Sequence, residues 1–561
     1  MWHMFYFELK FNQSFTKKCA TALLSGFVFG EATINQIIFK SNACREACME
    51  RLSHFASIVL CVLSVAVVVA FGAFAGVLIV LHRKKSPEGE TFEFFLTARN
   101  TQPMLRVMWS FVAGLMGSWI VTMPADNASR SGIIGVISYA VFCGLPIYLL
   151  ALVGEKVQKV MPRVLSFGDY VRYRFGVVPQ LYVAVIAVFN LGVALTVEYS
   201  SVNSIFTSIL GRGNFPIAPI IFVVTTAYTA FGGLLVSIIT DVYQGIVGTG
   251  LVCVLVATVA LSFRPELGPL PEHLGATENG YTSIFILPVT LMAATVFTEA
   301  PWQRVWASES PAALRRGALF ASLILSLVVF VLGLLGYFAA WSGLKTEDPN
   351  VLLIMMVASK HQGWIAVLIA VMTAIICESA IDTLQNALAS AISTMVLRDR
   401  PLIWVRILVL LLNIPPVYIS YQNHSAFDLF TAGNKVACTA FIPLLLGLYQ
   451  PAMPYLTGPC MLFASLLSFL SMVGFGMIYM GDFTSGLDFI LYDPYDPYSV
   501  LVAIVSSVAC IAIWVGLVGG LQKLGAPKFE IPGFHPYYND GEKVQQPLHI
   551  ELESEKSSSI A

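Results

Sequence analysis

The chain has 561 residues, of which 57% are hydrophobic and 12% charged, with a formal net charge of −1 and a mean hydropathy of +0.77. Soluble domains carry about a quarter charged residues, so an ordinary soluble protein is excluded, and the near-zero net charge gives no support for a nucleic-acid partner. The ten cysteines show no C-x-x-C or zinc spacing and the eight histidines no H-E-x-x-H, so no metal centre is indicated.

Residues 1–54 are mildly apolar with interrupting lysines. Their charge follows the first apolar stretch, which is not the order of a signal peptide, and no function is assigned to them. Cys44 and Cys48 in this tail could form a disulfide; most other cysteines fall inside apolar runs and read as core. About 13 apolar spans follow, each approaching the roughly 20 residues that cross a bilayer. They cover 55–82, 105–124, 132–154, 179–206, 216–231, 235–263, 282–298, 317–343, 364–397, 401–421, 425–449, 455–480 and 497–522. Backbone groups in lipid must be satisfied within their own segment, so these spans are predicted helices and the fold class is an all-α polytopic membrane protein.

The expected organisation is an extra N-terminal transmembrane helix (55–82), a basic cytoplasmic loop (83–104) and two five-helix units (105–263 and 282–449). Two C-terminal helices (455–522) and a polar cytoplasmic tail (523–561) complete it. "HRKKSPEGE", "EKVQKVMPRVLSFGDYVRYRFG", "QRVWASESPAALRRG" and "RDR" are basic and fall on one side if the spans alternate, whereas "GDFTSGLDFILYDPYDPY" opposite is acidic. The basic side is cytoplasmic, which puts the N-terminus outside and the C-terminus inside. Asn127 in "NAS" and Asn423 in "NHS" are then sequons on the outer side.

Two spans carry breakers. In "VMWSFVAGLMGSWIVTMP" Gly114 and Gly117 sit mid-span and Pro124 ends the run, and in "FILPVTLMAATVFTEAP" Pro288 interrupts. One reading is glycine used for close helix packing. The other is a pair of broken helices at matching places in two repeats, a sign of a midplane transport site where bare carbonyls can hold a cation.

Ionisable residues inside spans cost roughly 2.5–3.5 kcal/mol each on insertion scales, so they mark function. The candidates are Glu198, Asp241, Glu378, Asp382 and Lys435. Glu198 is expected near the outer end, Asp428 and Glu299 at wetted span ends, and Arg406 is expected to snorkel. Asp241 is either wetted or a charge lying near a bound cation. The strongest stretch is "AIICESAIDTLQNALASAIS", where Ser379, Asp382, Asn386, Ser390 and Ser393 make one polar stripe at helical spacing. Glu378 stands at its edge. Two neighbouring carboxylates in a dry site require either a proton or a cation, and Lys435 is a candidate ion-pair partner.

Several motifs together resemble the sodium:solute symporter family over roughly residues 90–480. They are "FFLTARNTQP", "AYTAFGGLLVSIITDVYQ", "PWQRVWASES" followed by "RRGAL", "DTLQNALASAISTMVLRD" and "AFIPLLLGLY", in the family's order. The resemblance implies ten core helices in two inverted five-helix repeats, a leucine-transporter-type core, and a sodium ion between core helices one and eight. Mapped by position, its ligands would be the carbonyls of Ala113, Met116 and Ile376 and the Ser379 hydroxyl, with Asp241 beside them. The chain departs from the pattern at Glu378, where the family has methionine, and at Ala380, where it has a second hydroxyl; Val236 replaces a small residue.

These features lead to an expected secondary active transporter, not an enzyme, with no cofactor and no obligate protein partner. An inward cation flow, sodium in preference to protons, would drive uptake of a small polar solute across the plasma membrane by alternating access. Glu378 and Asp382 would serve cation or proton coupling. Ser118, Trp119, Thr295 and Phe297 would contact the solute, since hydroxyls and aromatic faces suit polar or cationic groups. The alternatives are a proton-coupled symporter of urea or a similar solute working through Glu378, and a transporter-like solute sensor. The roughly 40 residues after the last span are too few for an independent signalling domain.

Overall fold

The computed structural model describes residues 54–85, 92–161, 164, 166–210, 215–262, 267–342, 362–397, 401–422, 424–449 and 455–524. The Cys44/Cys48 pair, the Asn423 sequon, residues 1–53 and the C-terminal tail from 525 lie outside them. The described residues form α-helices and no strand: α1 (His54–Lys85), α2 (Phe92–Thr97), α3 (Met104–Leu115), α4 (Trp119–Val160), α5 (Phe167–Phe175), α6 (Val177–Leu210), α7 (Ile217–Ser262) and α8 (Glu278–Phe297). There follow α9 (Glu299–Ala307), α10 (Pro311–Trp341), α11 (Gln362–Ala391), α12 (Leu402–Ile419), α13 (Ala426–Leu446), α14 (Gly458–Met480), α15 (Phe483–Tyr492) and α16 (Pro497–Lys523).

Eleven of these helices are long and apolar enough to cross a membrane. Two are too long for one crossing: α4 has 42 residues and α7 has 46. At 1.5 Å per residue they would reach roughly 60–70 Å if straight. Each contains one glycine in the left-handed half of φ space, Gly132 (φ 63°, ψ −162°) and Gly233 (φ 61°, ψ −168°). A helix cannot run on through such a residue, so each divides there into two spans. These are the boundaries predicted at residue 132 and between 231 and 235.

The breakers behave differently from expectation. Pro124 does not end a span; it lies inside α4. Residues 125–131, expected as an outer loop, are helical up to Gly132. Pro288 is likewise carried within α8, and the interruption falls ten residues later at Thr298 (φ −88°, ψ 117°), between α8 and α9. The predicted basic loop 83–104 contains α2, whose Leu96 and Thr97 are buried. It is pinned to the end of α9 by hydrogen bonds from Asn100 N to Trp306 O (3.0 Å) and Gln102 N to Ala307 O (2.9 Å).

The centre of the bundle is α11, the most enclosed span: 78% of its apolar window is buried. It packs against α7, α6 and α3. Ser379, Asp382, Asn386, Ser390 and Ser393 are all buried, so the predicted stripe faces the bundle interior. Helices α15 and α16 pack on α14, and all three pack on α13. Lys435 belongs to that contact and does not pair with the α11 carboxylates. Its ammonium donates to Ile490 O (3.1 Å) and Asp493 O (2.7 Å) and lies 3.9 Å from the Asp496 carboxylate.

Candidate cation and solute site

The first broken helix opens between α3 and α4. Met116 N still closes on Val112 O (2.8 Å), but Met116 leaves the helix (φ −90°, ψ 79°) and the chain restarts with Ile120 N donating to Gly117 O (3.2 Å). The interruption removes the amide donors that a continued ladder would aim at the carbonyls of this turn. α7 reaches the break through two glycines one turn apart. A Cβ on Gly245 would stand 3.1 Å from the Ala113 Cβ, and one on Gly248 would stand 2.7 Å from Ile376 Cγ2 and 3.5 Å from Met116 Cε. Ala113, Met116 and Ile376 therefore converge on one turn of α7. Ser379 joins them by donating to Asp241 Oδ1 (3.1 Å).

Asp241 is fully buried and already has a cation. Arg304 Nη2 donates to its Oδ2 at 2.8 Å, with side-chain exposures of 2% and 0%. Ser110 Oγ donates to the same oxygen (2.7 Å) and accepts from Arg304 Nε (2.9 Å). The guanidinium is completed by Thr383 Oγ1 (2.8 Å) and Ala300 O (3.1 Å). A buried pair persists only when its remaining hydrogen-bonding positions are filled in this way. This corrects the reading of "QRVWASESPAALRRG" as a basic loop: its start, residues 303–307, belongs to α9, which is buried along its whole length. Glu299 in it is not solvated but accepts from Phe167 N (3.1 Å). The signal that could have found Arg304 is its setting, between two tryptophans that are themselves fully buried.

Glu198 is not at a wetted outer end. It lies on α6, 4% exposed, against the break. Ser118 N donates to its Oε2 (2.7 Å), and the Ser118 hydroxyl lies 2.6 Å from the same oxygen. The fit depends on glycine: a Cβ on Gly117 would fall 1.8 Å from Glu198 Oε1. Of the predicted solute contacts, Ser118 and Trp119 are at this break, and the Trp119 indole donates to Leu115 O (3.0 Å). Thr295 bonds within α8 to Leu291 O (2.7 Å), and Phe297 is packed edge-on against Phe167 (5.7 Å).

Asp382 is buried on α11, its Oδ1 accepting from Thr229 Oγ1 (2.7 Å) and Asn386 Nδ2 (3.1 Å). Glu378, one turn earlier, is equally buried, and neither of its oxygens has a hydrogen-bond partner among the described residues. Asn127 is not presented for glycosylation. It is fully buried, donating to Gly135 O (3.0 Å) and accepting from the Tyr495 hydroxyl (2.8 Å).

No protein-family model matches the chain. The spermidine transporter DUR31 of Candida albicans is 28% identical to it over 392 residues, 69% of this chain and 75% of that protein. Among solved structures, a substrate-bound, outward-open Na+-coupled sialic acid symporter superposes with a TM-score of 0.60 at 16% identity, covering 81% of this chain and 98% of that one. Mhp1, a nucleobase-cation-symport-1 transporter, superposes with a TM-score of 0.52 at 14% identity, over 79% and 96%. The fold is the all-helical, leucine-transporter type, and the chain is an integral membrane transporter whose relatives are transporters and not enzymes.

Proposed function

We propose that this transporter is a sodium-driven symporter of an aliphatic polyamine, spermidine being the reference compound. The observation that carries the substrate class is Glu198: a buried carboxylate held at the mid-membrane break, where a protonated amine would gain most from charge pairing. Trp119 adds an aromatic face beside it. The similarity to a spermidine transporter points the same way. Sodium would be held by the carbonyls of Ala113, Met116 and Ile376 and by the Ser379 hydroxyl, near the Asp241–Arg304 pair. One helix bundle would rock against the rest around this site. The plasma membrane, with the N-terminus outside and the C-terminus inside, is the matching placement.

The test is uptake of radiolabelled spermidine by proteoliposomes holding the purified full chain. An inward sodium gradient should drive accumulation, and replacing sodium with choline should abolish it. Glu198→Gln should raise the half-saturating spermidine concentration by about 100-fold, the scale of losing a buried charge pair. Unchanged uptake by Glu198→Gln would overturn the substrate assignment. Accumulation driven by a pH gradient without sodium would replace sodium with protons as the coupling ion.

A further inference from the structure

Between the break and Gly132 the chain carries a polar residue at every fourth position: Ser118, Thr122, Asp126 and Arg130. Side chains four apart share a helix face, and this face is met level by level from other helices. Ser118 meets Glu198 of α6 at the break. One turn on, Thr122 Oγ1 lies 3.3 Å from Ser201 Oγ, also on α6. One turn further, Arg130 reaches back to Asp126, its Nε donating to Oδ1 (2.9 Å) and its Nη2 to Oδ2 (3.0 Å). Its Nη1 donates across to Asp428 Oδ1 on α13 (2.9 Å).

Two carboxylates share one guanidinium at this last level, so it keeps a net negative charge. Asp126 has both oxygens bonded by Arg130, but Asp428 Oδ2 receives no donor among the described residues. The Arg130 and Asp428 side chains are 34% and 23% exposed, so water reaches this end of the stripe. The guanidinium carbon stands 6.0 Å from the centre of the Phe427 ring. Tyr139 packs edge-on against Phe427 (5.9 Å) and against Trp119 (6.2 Å), so aromatic rings run from the break to the outer charges. The Tyr139 hydroxyl is buried without a hydrogen-bond partner among the described residues and lies within electrostatic reach of Asp126.

We propose that Asp126 and Asp428, with Tyr139 and Phe427, form a second ammonium subsite, and that a polyamine is selected by the distance from this subsite to Glu198. The inference deepens the polyamine reading and rests on it. Ser118 and Asp126 are eight positions apart, roughly 12 Å along a helix axis. Three linked bonds of an extended chain span about 3.3–3.6 Å, so the nine bonds between the terminal nitrogens of spermidine span roughly 10–11 Å. Its inner nitrogen then falls at the level of Thr122 and Ser201, whose hydroxyl oxygens can accept from it. Arg130 holds the ammonium's place in this structure. A primary ammonium between the two carboxylates would carry the same charge, and the half-exposed guanidinium would turn to water. The aromatic faces add attraction for a cation leaving water. Thr122 and Ser201 are closed against each other, 3% and 1% exposed, and the rocking that parts α4 from α6 opens the stripe.

The test is competition for tritiated spermidine binding to the purified full chain in lipid nanodiscs. 1,8-Diaminooctane has spermidine's length with a charge at each end, and octylamine has the same carbon chain with one charge. In the wild type the diamine should compete at a concentration about tenfold lower than the monoamine. Asp428→Asn should remove most of that difference and leave octylamine where it was, and Asp126→Asn should act in the same direction. Octylamine binding reports in each variant that the site at Glu198 is intact. Arg130→Gln should favour the diamine further, because the subsite loses its resident cation. A comparison that needs no variant is 1,4-diaminobutane, too short to bridge, which should gain less over butylamine than 1,8-diaminooctane gains over octylamine. Equal effects of Asp428→Asn on the diamine and the monoamine, or none on either, would overturn the subsite. So would an Arg130→Gln protein that keeps octylamine binding and loses its preference for the diamine. Failure of the broader reading looks different: the wild type would bind no spermidine, or Glu198→Gln would leave both amines unchanged.

Discussion

Gly117 has no side chain because the Glu198 carboxylate occupies the space one would need. Gly117→Ala would place a methyl group 1.8 Å from Glu198 Oε1, so either the carboxylate or the break must move. Overpacking of this kind costs about 1–3 kcal/mol. The variant should express and fold, yet its half-saturating spermidine concentration should rise by about tenfold or more. Sodium binding, read by ²²Na⁺, should change less. Both residues stood out in the sequence, Gly117 as a breaker and Glu198 as a carboxylate in an apolar run. Nothing local joined them, since the bond between Ser118 and Glu198 spans 80 positions. The same holds for Arg304 and Asp241, 63 positions apart. Arg304 read as surface because it follows a helix break and precedes a basic run, and burial by distant helices reversed that.

At the scale of the elements, Gly132 and Gly233 do equivalent work. Each turns a long apolar helix into two spans by adopting a φ near +60° that a side chain disfavours. Neither has room for one: a Cβ would lie 2.6 Å from Gly275 O at Gly132, and 2.7 Å from Phe95 at Gly233. Gly233→Ala should cost about 1–3 kcal/mol through backbone strain alone and should lower the thermal midpoint of the detergent-solubilised chain clearly. Gly474→Ala, in mid-α14 with open space around the site, should be neutral or slightly stabilising. Equal shifts in the two variants would show that the hinge geometry is not needed. Here the sequence was a good guide, because a Gly-Gly pair and an apolar run of double length are local signals. Pro124 and Pro288 misled for the opposite reason. A proline can be carried within a membrane helix when neighbouring helices and nearby side chains satisfy the freed groups, and that support is tertiary.

Across the whole molecule, charges tie separate parts of the bundle together, some fully buried and some, such as Arg130 and Asp428, half-buried. Arg304 links α9 to α7, α3 and α11. Arg130 links α4 to α13 through Asp428 (2.9 Å), while also holding Asp126 (2.9 Å). Lys435 ties α13 to the C-terminal helices, and Asp496 beside it also accepts from Ser499 N (3.0 Å) at the start of α16. Removing one member of a buried pair costs about 3–5 kcal/mol. Lys435→Met should therefore lower thermal stability strongly, and Lys435→Met combined with Asp496→Asn should recover part of the loss. A double variant no better than the single one would show that the pairing contributes little beyond the two carbonyl contacts of Lys435.

The sequence by itself determined the solvent this protein folds in, the number and rough limits of its spans, and the identity of α11 as the polar helix. These follow from composition and from periodicity within one segment, which lipid enforces residue by residue. Which charges are partners and which remain unpaired was decided only by the tertiary structure. Lys435 was drawn to Asp496, Arg304 to Asp241 and Ser118 to Glu198, and Glu378 was left with neither carboxylate oxygen bonded among the described residues. Pairing energy depends on a few ångströms of separation and on the loss of water, and both are set by helices that meet in space from distant parts of the chain.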